Sequence, residues 1–72
     1  MVRCYRVHFA DGPVAYNEGE VYCFTPDWSE AREMTRRYLE EEHRWDRCGY
    51  GNLGVERYTG IIPAGSMMLF VD

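Results

Sequence analysis

One stretch of this chain has helical spacing, and strand-like segments lie on both sides of it. Trp28, Ala31, Met34, Thr35, Tyr38 and Leu39 recur at three- and four-residue intervals, as on an amphipathic helix with one apolar stripe. A single helix can cover only one face of a sheet. Whatever strands the rest of the chain forms, their second face is left to water or to a partner.

The start of the helix can be read in two ways. Thr25 caps it with Pro26 at the first helical position, or Asp27 caps it with Glu30 three residues on as a box-like pair. The end is expected between His43 and Arg47. Glu33 with Arg37 and Glu40 with Arg44 are spaced for ion pairs on the exposed side.

Before the helix, Val2 to Ala10 alternates, with Tyr5, Val7 and Phe9 on one side and Cys4, Arg6 and His8 on the other. Asp11-Gly12-Pro13 is a turn signal. Val14 to Glu20 reads as a short edge strand or a loop, and Val21 to Thr25 as strand two. After the helix comes a glycine-rich loop, Cys48 to Gly54. Val55 to Ile62 reads as strand three, with Gly60 as a place for a bulge. Pro63-Ala64-Gly65-Ser66 is a tight turn, and Met67 to Val71 is strand four. A turn centred on Ala64 and Gly65 makes strands three and four a hairpin. The expected fold is one α+β domain over residues 1–72, in the order β-β-α-β-β. Its sheet is four-stranded and mainly antiparallel, with the helix packed on one face.

The 72 residues are 46% hydrophobic and 15% aromatic, which sets the chain apart from disordered acidic tails. A domain this short buries only about 60% of its unfolded surface, so its stability margin is small. The net charge is −4, with eight arginines and no lysine, which weighs against free nucleic acid as the main partner. No apolar run approaches the ~18 residues of a membrane span. Met1 to Arg6 contains no apolar leader core. Three cysteines fit free thiols better than a disulfide framework. The expected compartment is the cytoplasm.

Chemical motifs are weak. Gly49-Tyr50-Gly51-Asn52-Leu53-Gly54 matches G-x-G-x-x-G, but it follows a helix and opens a strand, the reverse of a dinucleotide site. Glu40-x-x-His43 is half of a di-iron motif without its second copy. Cys4, Cys23 and Cys48 have no zinc spacing, and neither His8 nor His43 is shown beside a thiol. Ser29 and Ser66 have no triad context. The sequence therefore predicts no metal, no cofactor and no catalytic residue. Tyr5, Tyr22, Phe24 and Tyr58 bring to mind base-stacking sheets, but the acidic balance favours a place in the core beneath the helix.

The acidic run Glu40-Glu41-Glu42, extended by Asp46, conflicts with the local physics. Carboxylates at a helix C-terminus face the negative end of its dipole. Either the helix frays before Glu42, or the charges are placed for a basic partner. With Trp45 and Tyr50 as aromatic anchors, Glu40, Glu41, Glu42, Trp45, Asp46 and Tyr50 form the candidate partner-binding surface.

In organisation the chain resembles small phage-encoded accessory proteins, above all the anti-CRISPR proteins. The likeness lies in the β-β-α-β-β order, the acidic balance and the lack of catalytic groups. It has no diagnostic motif and transfers no residue role. It implies a non-enzymatic inhibitor or adaptor in a host cytoplasm, occluding a basic nucleic-acid-handling surface on a larger protein or complex. The alternative is a small nucleic-acid-binding or regulatory domain using the open sheet face with Arg3, Arg6 and Arg57. A third reading is a homo-oligomer packed through that face.

Overall fold

A computed structural model describes residues 1–10, 18–42 and 53–72, with Glu42 described through its backbone only. The chain is α+β: β1 Arg3–Phe9, β2 Gly19–Thr25, α1 Trp28–Glu42, β3 Leu53–Arg57 and β4 Met67–Phe70. The four strands form one sheet in the order β3-β1-β2-β4.

β1 pairs antiparallel with both β2 and β3. β2 and β3 are therefore parallel to each other, and α1 carries the chain between them across β1. Tyr5, Val7, Val21, Cys23 and Leu53 meet Ala31, Met34 and Leu39 of α1 in one core. Alternation in β1 falls as expected, with Tyr5 and Val7 buried under the helix.

Asp27 caps α1. Its Oδ1 accepts the Glu30 backbone N–H at 2.8 Å and the Ser29 hydroxyl at 3.0 Å. These bonds, the Glu30 amide first, hold the Asp27 carboxyl below its ordinary pKa. The reciprocal half of the box is replaced, since the Glu30 carboxylate takes Arg37 at 3.2 Å. Arg37 pairs with Glu30 instead of the expected Glu33, and Arg44, the expected partner of Glu40, lies outside the described residues. Arg36 bridges Glu33 and Glu40 across successive turns. Trp28 leaves the apolar stripe. It is 54% exposed, with the Arg32 guanidinium 4.8 Å from its ring centroid. At the first turn of a helix, a side chain can turn away from a sheet that no longer lies beneath it.

The expected hairpin of strands three and four does not form. The turn is present: Ser66 N–H donates to Pro63 O at 3.2 Å, and Gly65 takes φ 85° at its third position, as a type II turn requires. But β4 pairs parallel with β2, on the opposite edge from β3. Strand three also ends earlier than Ile62. Tyr58 N–H still donates to Cys4 O at 2.9 Å, and the Tyr58 hydroxyl then closes on the Ile61 carbonyl at 2.7 Å. Gly60 lies against that ring, where a Cβ would come within 2.9 Å of the Tyr58 hydroxyl. Gly60 thus serves a close approach and not a strand bulge. Residues 58–66 must return the chain from one edge of the sheet to the other. With α1 on the core face, Tyr58 begins that crossing on the opposite face.

Candidate protein-docking face

The register places side chains of the helix-free face in three cross-strand rows. Glu56, Arg6, Tyr22 and Met68 make the central row. On one side of it lie Gly54, His8 and Glu20, and on the other Cys4, Phe24 and Phe70. One end of the face is therefore charged and the other apolar.

At the charged end, Arg6 is held between two carboxylates. It donates to Glu56 and lies 3.2 Å from Glu20. Its guanidinium sits 5.2 Å from the Tyr58 ring centroid. The Glu56 hydrogen bond, with both carboxylate charges, raises the Arg6 pKa further. Glu18 lies 3.9 Å from His8.

Tyr22 is only 4% exposed although it faces away from the helix and is no part of the core cluster. Its cover is Tyr58, whose ring meets it edge-on at 5.1 Å, together with Arg6. Burial, first of all, pushes the Tyr22 hydroxyl pKa up. Of the four aromatics expected beneath the helix, only Tyr5 is there. Tyr22 and Phe24 are on even positions of β2, which alternation sends to the other face.

At the apolar end, Phe24 and Phe70 stack with centroids 5.0 Å apart and planes 10° from parallel. Phe70 is still 65% exposed, and Met67 and Met68 are each 45% exposed. α1 packs across β1, β2 and β3, so β4 is the strand it covers least. Between α1 and β4 lies a groove of about 280 Å³, walled by Met34, Tyr38 and Leu69 and edged by Arg37, Glu41 and Asp72.

The residues of the acidic helix end separate. Glu40 is tied to Arg36 at 2.9 Å. Glu41 is exposed and lines the groove beside β4. Glu42 is the last described residue of α1, so the backbone helix includes it. Trp45, Asp46 and Tyr50 lie outside the described residues, as do His43, Cys48 and most of the glycine-rich loop. Of that loop, Leu53 and Gly54 belong to β3.

No family model, curated protein or solved structure matches the chain. The functional reading rests on the face itself.

The described thiols are poorly suited to nucleophilic chemistry. Cys23 is buried, 3.3 Å from Thr35 Oγ1. The Thr35 hydroxyl lies 2.9 Å from Ala31 O, and the Cys23 thiol donates to the same carbonyl at 3.6 Å. Burial raises the Cys23 pKa, partly offset by Thr35, and burial also raises that of Cys4. No group of three or more potential metal ligands occurs among the described residues. No helix among them is long and apolar enough to cross a membrane.

The docking residues that sequence reasoning missed are Met68 and Phe70. A signal was present. Met67-Met68-Leu69-Phe70-Val71 is apolar at every position, so one face of that strand had to be apolar away from the core as well.

Proposed function

We propose that this protein is a non-catalytic protein-binding module, an inhibitor or adaptor that docks through the apolar end of its helix-free face. The observation that carries this reading is exposed Phe70, stacked on half-buried Phe24 with exposed Met68 beside it, on a sheet face that carries no helix among the described residues. Aromatic and methionine side chains are enriched in interface cores, with charge at the rim. Here Arg37, already paired with Glu30, edges the adjoining groove with Glu41 and Asp72, and the two carboxylates favour a partner whose apolar patch is bordered by basic residues. A basic nucleic-acid-handling surface on a larger complex, as in the anti-CRISPR-like reading, has that chemistry. The remaining acidic helix end, with Trp45, Asp46 and Tyr50, extends the same proposal.

Direct nucleic-acid binding is less well supported. The aromatic rings suit base stacking, but Arg6 on that face is already neutralised by Glu56 and Glu20. Arg3 and Arg57 occupy the alternate positions, toward the helix side. Phosphates approaching the open face would meet Glu18, Glu20 and Glu56.

The test is capture of partners from a bacterial lysate with and without nuclease, using wild type, Phe24→Ser, Phe70→Ser and Glu40/Glu41/Glu42→Gln. Capture that survives nuclease, is lost in both Phe variants, and weakens with salt in wild type but less so in the already weaker Gln variant supports the proposal. Capture that disappears with nuclease, or is indifferent to both Phe changes, overturns it.

A further inference from the structure

We infer that the protein forms a two-fold symmetric homodimer through antiparallel pairing of its β4 edges. This goes beyond the docking reading and does not depend on it: docking concerns the face, whereas dimerisation concerns the edge.

The backbone phase supplies the first argument. Val71 N–H donates to Phe24 O at 3.0 Å, so the polar backbone groups of Val71 point toward β2. Alternation then turns those of Leu69 and Met67 toward β2, and those of Met68 and Phe70 outward. A second β4 running antiparallel can place its Phe70 opposite Met68, and its Met68 opposite Phe70. Both members of each pair then offer an outward N–H and C=O, which is what the closely hydrogen-bonded pair of an antiparallel ladder needs.

The side chains fit the same register. Met68 meets Phe70, giving a sulfur–aromatic contact, and Leu69 meets its own copy on the two-fold axis. Met67 meets Val71, and Asp72 falls opposite Ser66. Every cross-strand pair within β4 is apolar, and no carboxylate faces another. On the helix side, Leu69 of one copy lies at the mouth of the groove between α1 and β4 of the other.

The third argument is closure. β4 is only four residues long, but it carries no charge, no proline and no bulge to turn another strand away. β3, the opposite edge, carries Gly54, Glu56 and Arg57. Pairing β4 with its copy consumes the unguarded edge and leaves an eight-stranded sheet with two guarded ends. An isologous contact of this kind closes at two copies. It also joins the two Phe24–Phe70 stacks, with Met68 between them, into one apolar surface. Four half-exposed side chains fall short of the ~800 Å² that each partner gives a standard interface, so the dimer is reversible and depends on concentration.

Sedimentation of the purified chain under reducing conditions, from about 1 to about 500 μM, tests the inference over the range in which small interfaces exchange. Wild type is expected to shift from monomer to dimer and no further. Met68→Pro removes an outward N–H without touching the β2–β4 ladder, and Met68→Lys guards the edge. Each should weaken the dimer at least tenfold while the far-UV circular dichroism spectrum stays that of wild type. Should Met68→Pro unfold, Met68→Lys decides alone. A wild-type chain that stays monomeric throughout, or a dimer that Met68→Lys leaves unchanged, overturns the inference.

Discussion

The two edges of this sheet are built from opposite materials. β3 has a glycine at its second position and ends in Glu56 and Arg57, with Glu56 engaged by Arg6 of the neighbouring strand. β4 is Met-Met-Leu-Phe, paired with β2 on one side and with no described strand on the other. Both edges present the same unpaired backbone groups, so the side chains decide which edge attracts another strand. Glu56 and Arg57 must be stripped of water before a strand can approach β3. At β4 an approaching strand covers apolar surface already half exposed, which is favourable. The difference makes β4 the edge that the proposed pairing would use.

The comparison holds only while both edges are fixed to one core, and the largest expected effect comes from removing that support. Leu39 is buried among residues of the sheet and α1. Leu39→Ala should lower unfolding free energy by about 2–5 kcal/mol, a large share of what so small a domain has. Trp28→Ala, at the exposed start of the same helix, should cost only about 0.5–1 kcal/mol through its contact with Arg32. Urea titrations of the two variants measure this. Equal losses would mean that α1 is held at its first turn as firmly as at its centre.

A second change attacks the difference between the edges. Gly54 has open space where a Cβ would stand, and Arg57 is exposed. Gly54→Val with Arg57→Val gives β3 an apolar edge and keeps the Arg6–Glu56 pair. With both edges unguarded, two-fold pairing no longer ends the assembly, and light scattering should grow with concentration beyond the dimer. A double variant that scatters as wild type does would show that Glu56 alone guards β3.

The smallest effect concerns a residue that belongs to neither edge. Thr25 is fully buried, and its hydroxyl has no hydrogen-bond partner among the described residues. Thr25→Val keeps the shape and removes an unsatisfied polar atom, so stability should hold or rise by up to about 1 kcal/mol. The oligomer distribution should not move, because the change reaches neither β3 nor β4. A clear loss of stability would reveal a partner for that hydroxyl in the rest of the chain.

Local pattern made most of the elements readable. Alternation through Tyr5, Val7 and Phe9 gave the buried side of β1, and the Ala31–Met34–Leu39 spacing gave that of α1. The site was less legible. Glu41 could be named from charge alone, but nothing local shows that Glu40 is tied to Arg36 while Glu41 borders a groove. Met68 and Phe70 were hidden by the assumption that β4 pairs with β3, since a hairpin partner would have covered the very edge that stands bare. Phe24 and Tyr22 were assigned to the core because size and apolarity suggest burial, whereas their even register sends them to the other face.

Side-chain periodicity alone specified the four strands and the helix seen among the described residues, and with one helix there, one sheet face goes without one. Those outcomes depend on side-chain periodicity within a few residues, which propensity and amphipathic burial enforce locally. Which strand lies beside which was settled by packing across the whole fold. Every strand offers the same ladder of N–H and C=O groups, so pairing choice is not written in any one of them. Here it turned on the segment after β3. Tyr58 stays bonded to Cys4 O and packs on Tyr22, which commits the chain to crossing the open face. β4 therefore arrives beside β2, and its outer edge pairs with no strand among the described residues.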